Sequence, residues 1–287
     1  MKKRILVQGA TGMLGKPAAQ QLSAAGFQVR VLTRDIEKAK SQLPENWEFV
    51  KGDVTDPVAL EKSMQDCQGV HISIGGDNDQ ISAELSVEAA VKQGVEQISY
   101  ISGATVCEEN RWFPMVGQKL NAEKALRGCG IPYTIFCPTW PMEQLPRFAR
   151  GGNPSLMGQQ PNLIHWFAAK DLGIMIANAY QSTAARNKRF TVFGPQALTM
   201  KTALQQYCTY FHPEVEKISV MPIWTAKLLG AVTGNEMLKF ASGLMGYFNK
   251  TAETGSPEEA NQILENPKTT LQEWMQELSQ KEKALGK

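Results

Sequence analysis

Gly9-Ala10-Thr11-Gly12-Met13-Leu14-Gly15 sets three glycines within seven residues near the start of the chain. Before it, Arg4-Ile5-Leu6-Val7-Gln8 sets three consecutive apolar residues in a run free of turn formers, which reads as a short buried strand. After it, Lys16 to Ala25 aligns Ala18, Leu22 and Ala25 roughly with Leu14, and Gly26 stops the run, which reads as a helix. Strand, glycine turn and helix form the opening of a dinucleotide-binding βαβ unit. A pyrophosphate has to approach the backbone closely, so a Cβ at Gly12 would obstruct it. The helix N-terminus behind the turn offers unpaired N–H groups and the positive end of a dipole. Gly15 would let the helix pack closely on the strand. Gly9, Thr11, Gly12, Met13, Leu14 and Gly15 are therefore the candidate phosphate cradle, against the plainer alternative of a tight βα turn.

Further along, Gln28-Val29-Arg30-Val31-Leu32 reads as a second strand that delivers Thr33-Arg34-Asp35 to its C-terminal end. That position meets the adenosine ribose in such folds, and an arginine there accommodates a 2′-phosphate. Arg34, with a planar fork suited to bidentate phosphate binding, is the candidate, and a solvated surface arginine is the alternative. Asp35 is expected to cap a helix from Ile36 to Gln42. A third strand, Trp47 to Val50, leads to Asp53, placed to accept from the adenine amino group, with Val54 beside it. Asp56 before Pro57 looks like a helix N-cap with proline at the first position. Gly69 to Ile74 reads as a fourth strand ended by Gly75-Gly76, followed by a helix from about Gln80 to Gln93 that Gly94 closes. Val95 to Ile101 reads as a fifth strand running into Ser102-Gly103-Ala104-Thr105. Met115 to Arg127 reads as a helix, and Tyr133 to Cys137 as the next strand, with Pro138 at its end. This alternation predicts an α/β fold with a doubly wound, mainly parallel sheet of the Rossmann kind.

From Pro138 to Pro161, prolines and the glycines at 151, 152 and 158 signal a loop-rich crossing into a smaller, mostly helical C-terminal lobe. The expected division is residues 1–150 for nucleotide binding and 151–287 for a substrate or partner lobe, interleaved with the sheet through a strand near 189–193. Leu163 to Phe167 and Arg189 to Phe193 read as strands flanking a helix from Lys170 to Gln181. Helices are expected at 199–210, 223–232, 236–248, 257–263 and 270–281.

Composition excludes several classes. A net charge of +2 in 287 residues argues against a nucleic-acid partner or a polybasic membrane patch. No run of about twenty apolar residues reads as a membrane span. Five widely spaced cysteines without a C-x-x-C pair suit a reduced protein, and the N-terminus enters the first strand at once, so the expected place is the cytoplasm. The histidines form no metal-ligand constellation, and His71, inside an apolar strand, reads as a hydrogen-bonded core residue.

With these elements placed, the chain resembles the NmrA-like group of atypical short-chain dehydrogenases/reductases. The residues that carry this are the Gly9-to-Gly15 turn, Arg34, Gly52-Asp53, Ser102-Gly103, Lys119 with Glu123-Lys124 and Leu126, the Gly130-to-Ile135 run, and Asn266-Pro267 to Leu271 near the end. The resemblance implies NADP(H) as cofactor, with Gly75, Ser102, Lys119 and Pro138 joining the turn, Arg34, Asp53 and Val54 in binding it. It implies either a reductase acting on a small-molecule acceptor or a regulator that senses the nicotinamide ratio through a protein partner. Carbonyl-reducing members use a tyrosine four residues before a lysine. Lys119 matches the lysine and is the candidate catalytic residue, whereas Met115 stands in the tyrosine's place. Ser102 and Thr105 fall where the family's hydroxyl partner lies, or serve only as turn formers. The expected activity is hydride transfer to a quinone-like or other planar acceptor, because such an acceptor does not require a positioned acid.

Overall fold

Ile5, Leu6 and Val7 are buried on both faces of a strand, which is why this segment reads as a continuous apolar run and not as an alternation. The structure, a computed structural model, describes residues 2–149 and 153–284. The chain runs β1 (Arg4–Gln8), α1 (Gly15–Ala24), β2 (Gln28–Thr33), α2 (Ile36–Lys40), β3 (Glu48–Lys51), α3 (Pro57–Met64), β4 (Gly69–Ile72), α4 (Asp79–Gln93), β5 (Gln97–Ile101), α5 (Pro114–Gly128) and β6 (Tyr133–Pro138). It continues through α6 (Leu145–Phe148), β7 (Ser155–Met157), β8 (Leu163–Trp166), α7 (Ala169–Gln181), β9 (Lys188–Val192), β10 (Gln196–Thr199) and α8 (Met200–Phe211). The last elements are β11 (Ser219–Met221), α9 (Ile223–Thr233), α10 (Glu236–Phe248), α11 (Glu258–Leu264) and α12 (Leu271–Ala284).

Seven strands form one parallel sheet in the order β3-β2-β1-β4-β5-β6-β9. The order reverses between β1 and β4, so the crevice beyond their C-terminal ends is the switch point at which such sheets take ligands. Local chemistry sets the helix ends as the sequence predicts. The Asp35 carboxylate accepts from the Lys38 N–H at 3.0 Å, and Asp56 accepts from Val58 at 2.9 Å with Pro57 at the first helical position. Gly94 closes α4 at φ +65°, a conformation that costs a glycine little.

Two hydrophobic clusters divide the structure. One unit comprises Met1–Pro138, Ala169–Val192 and Gly255–Pro267, and the other Thr139–Ala168, Phe193–Thr254 and Lys268–Lys287. The first holds the sheet, with Leu6, Val70, Ile98, Tyr100 and Ile135 among its buried side chains. The second is built around Trp166, Leu204, Tyr207, Met245 and Trp274. The expected boundary at 150/151, with the glycines at 151 and 152, lies outside the described residues. The strand expected near 189–193 is β9, which pairs with β6 as the last strand of the sheet.

The structure corrects the sequence in several places. α2 stops at Lys40, two residues short of the expected end, and β4 stops at Ile72. Three short strands add to the expected elements: β7 pairs in parallel with β11, and β10 pairs antiparallel with β8. Each is three or four residues long and pairs with a distant segment, so no local periodicity announces it.

His71 is fully buried in β4, and its Nδ1 lies 2.7 Å from Ser99 Oγ, while its Nε2 has no hydrogen-bond partner. Burial lowers its pKa to about 3. Between that value and the ordinary one of about 6.5 the unfolded chain binds a proton that the native state refuses, so stability must fall as pH drops through this window. A loss of about 2–3 kcal/mol at pH 4.5 relative to pH 7 is expected from this residue. Urea unfolding of the wild type and of His71→Gln at both pH values checks it. The variant should lose that much less on acidification, and equal losses would refute the account.

Candidate functional site

Because all strands of the sheet run in parallel, each βα loop leaves it on the same edge. The Gly9–Gly15 turn follows β1, Arg34 follows β2, Asp53 and Val54 follow β3, Gly75 follows β4, Ser102 follows β5, and Pro138 ends β6. The fold therefore brings together at one edge residues up to 129 positions apart in sequence.

In the turn the three glycines have different reasons. Gly9 adopts φ +75°, and a Cβ there would sit 2.2 Å from the Ser73 carbonyl oxygen. At Gly15 a Cβ would lie 2.1 Å from the Gly9 oxygen, so this glycine seats the first turn of α1 on the peptide that leaves β1. Gly12 donates its N–H to Gly9 O at 2.8 Å, and a Cβ on it would meet only that oxygen, at 3.0 Å. Protein packing thus demands Gly9 and Gly15, while beside Gly12 there is room that an approaching ligand would fill. No side chain caps the N-terminus of α1, and Pro17 in its first turn has no N–H to satisfy. An uncapped helix end beside an open glycine turn fits a pyrophosphate.

Arg34 is exposed beyond β2, with Asp35 turned away to cap α2. Asp53 spends one carboxylate oxygen on Thr55, accepting from its N–H at 2.9 Å and its hydroxyl at 2.7 Å. Those two bonds hold the Asp53 pKa below the ordinary carboxylate value, and the Arg34 charge nearby adds to the effect. The other oxygen remains for an outside donor.

Lys119 reaches the same edge from α5, but it is not a solvated lysine. Its Nζ donates to Asp79 Oδ2 at 2.7 Å and to the Ile101 carbonyl at 3.0 Å, and it lies 5.2 Å from the centre of the Tyr100 ring. Its side chain is 13% exposed and that of Asp79 1%, so the pair is almost out of water. Tyr100 donates its hydroxyl hydrogen to the other Asp79 oxygen at 2.6 Å. Burial first, and the Asp79 charge second, push the Tyr100 phenol well above its ordinary value, so it keeps its proton. Ser102 is similarly committed. Its hydroxyl donates to Glu123 Oε1 at 2.5 Å, and Glu123 in turn accepts from Arg189 Nε at 3.0 Å. Burial raises the Cys137 thiol to about 12, which leaves it an inert core group.

Sequence reasoning missed Asp79 and Tyr100 and gave Glu123 no role. The available signal was weak: Lys119 and Glu123 stand four apart on one face of α5, and Asp79 opens α4, where an acidic residue passes for a cap. Only the pairing of β5 between β4 and β6 brings Tyr100, Lys119 and Asp79 together. Among the described residues no group of three or more His, Cys, Asp or Glu is placed to hold a metal ion.

A family model described as NAD(P)H-binding matches residues 9–160, which spans the turn, Arg34, Asp53, Ser102 and Lys119. The chain belongs to this NAD(P)H-binding family. The photosystem II assembly factor Ycf39 of Trieres chinensis is similar at 23% identity over 250 residues, covering 80% of this chain and 76% of that one. Triphenylmethane reductase of Citrobacter sp., solved with NADP(H), superposes with a TM-score of 0.76 at 21% identity, over 96% of this chain and 99% of that one. An NADPH-dependent quinone oxidoreductase of Escherichia coli, solved with NADPH, gives a TM-score of 0.75 at 19% identity with the same coverage. The family and the shared fold agree with the Rossmann expectation.

Proposed function

We propose that this protein is an NADP(H)-dependent oxidoreductase that passes a hydride to a planar, electron-poor small molecule such as a quinone. The observation that carries the reading is the open Gly12 beside an uncapped α1, on the same sheet edge as Arg34 and Lys119. In this reading the turn residues Gly9 to Gly15 hold the pyrophosphate, Arg34 the 2′-phosphate, and Asp53 with Val54 the adenine. Gly75, Ser102 and Pro138 line the path toward the nicotinamide end. Lys119, with two of its three N–H donors engaged, keeps the third for a ribose hydroxyl. Bound there, the nicotinamide supplies the hydride, and no residue of the chain has to supply electrons. The thiols, none of them in a disulfide, suit a reducing compartment, for which we take the cytosol. No helix among the described residues is long and apolar enough to cross a membrane.

Oxidation of NADPH across a panel of quinones tests the activity directly. A protein that binds NADPH yet turns over none of them favours a second reading, a non-catalytic NADP(H)-binding regulator acting through a protein partner. Two observations support that alternative: the similarity to an assembly factor, and the engagement of Lys119, Tyr100 and Ser102 with buried carboxylates.

Cofactor choice follows from Arg34. NADPH should bind more tightly than NADH by ~1.5–3 kcal/mol, the range for a charge-assisted contact. Arg34→Ala should remove most of that margin and leave NADH affinity nearly unchanged. Calorimetric titration of both cofactors reads this, and equal affinities on the wild type would sink it.

A further inference from the structure

The ion pair of Asp79 and Lys119 joins α4 to α5 almost out of water. A pair in that position returns little stability. Each charge loses its hydration, and two apolar side chains of similar volume often hold as well or better. The two helices do not depend on it, because Ala83 and Val87 of α4 share one hydrophobic cluster with Ala122 and Leu126 of α5. Asp79 is not spent on its own helix either. It is the first residue of α4, yet both carboxylate oxygens engage other elements. Oδ1 accepts from the Tyr100 hydroxyl at 2.6 Å, and Oδ2 accepts from Lys119 Nζ at 2.7 Å.

What the arrangement accomplishes is to fix one cation. Tyr100 is fully buried in β5, so the links from Tyr100 to Asp79 to Lys119 run from the sheet to the ammonium. The Ile101 carbonyl, the next along β5, holds the same Nζ at 3.0 Å, and the centre of the Tyr100 ring is 5.2 Å away. A lysine in water moves its head among many rotamers, and a ligand that uses it has to stop that motion. Here the motion is stopped before any ligand arrives. Two of the three N–H donors are taken, and the third has no acceptor among the described residues. The 13% of the side chain still open to water leaves a ligand room to reach it, whereas Asp79, 1% exposed, can touch none.

We propose that Asp79 is a positioning residue for the cofactor: anchored to β5 through Tyr100, it holds the Lys119 ammonium so that its remaining N–H meets a hydroxyl of the nicotinamide ribose. This rests on the reading of the sheet edge as an NADP(H) site, and it holds for a reductase and a regulator alike. The test compares NADPH with adenosine 2′,5′-bisphosphate, which carries the adenosine end of the cofactor and lacks the nicotinamide ribose. Calorimetric titration of both compounds, with a thermal melt of each protein, needs no turnover. Asp79→Asn should bind NADPH about tenfold more weakly, as for a weakened charge-assisted contact, and the bisphosphate within about twofold of wild type. Lys119→Met should show the same split. In the double variant the two losses should not add, because Asp79 acts only through Lys119. That variant removes both charges at once, so it stays readable where Asp79→Asn alone melts early. Asp79→Asn that binds NADPH like the wild type overturns the proposal. An equal loss for both compounds overturns it too, since that is a structural role, as does an Asp79→Asn loss that persists undiminished beside Lys119→Met. Wild type that binds neither compound overturns the cofactor reading itself, and the proposal falls with it.

Discussion

Gly12→Val will lose NADPH affinity by about 100-fold or more while keeping the fold, and Gly15→Val will lose the fold first. The two glycines stand three apart in one turn, yet their surroundings separate them. A Cβ on Gly15 lands 2.1 Å from the Gly9 carbonyl, a backbone atom, so either the first turn of α1 or the end of β1 has to move. Overpacking of that kind costs about 3 kcal/mol or more. On Gly12 the only neighbour is the same oxygen at 3.0 Å, so a small adjustment of the turn suffices for stability. The branches of valine then stand where a pyrophosphate would approach the backbone, and losing two charge-assisted N–H contacts accounts for the drop in affinity. Thermal melts and NADPH titrations of both variants check the pair of outcomes. A Gly12→Val protein with wild-type affinity would mean that the turn is structural and that the cofactor lies elsewhere.

The second large effect concerns Met115. A positioned general acid contributes about 10²–10⁴-fold to a proton-coupled step, and Tyr100, Ser102 and Lys119 are each engaged with another group. Tyr100 gives its hydrogen to Asp79, Ser102 gives its hydrogen to Glu123, and Lys119 is held by Asp79 and Ile101. Simple ketones should therefore be reduced about 10²–10⁴-fold more slowly than quinones. A quinone spreads the negative charge left by hydride addition over its ring and takes its proton from water afterwards. Steady-state NADPH oxidation with one ketone and one quinone, on wild type, Lys119→Ala and Met115→Tyr, reads this. Lys119→Ala should weaken both reactions. Met115→Tyr should gain ketone activity, because Met115 lies one turn before Lys119 on α5. Brisk ketone reduction by the wild type, unaffected by Lys119→Ala, would refute this account of the site.

The two readings of function separate in the same assay. Turnover of a quinone supports the oxidoreductase, and binding without turnover supports the regulator.

Features that depend on neighbours along the chain are legible in the sequence. The run Ile5-Leu6-Val7, the glycine turn, the caps at Asp35 and Asp56 and the stop at Gly94 are all matters of a few adjacent residues, and each lies where its local chemistry puts it. The alternation of strands and helices then made a parallel sheet the simplest closure, and parallel strands send every βα loop to one edge. Features that depend on partners distant in sequence emerge only when the chain is folded. Lys119 reads as a cofactor-binding and catalytic lysine until α4 brings Asp79 against it across 40 residues. Ser102 reads as a free hydroxyl until Glu123 and Arg189 are seen to hold it. The short strands β7, β10 and β11 exist only by pairing with segments far along the chain, and three or four residues carry no period of their own. Trp224, Leu228 and Val232 of α9 look in sequence like the face of a buried helix and are exposed, because a side chain's hydrophobicity is local and its burial is not.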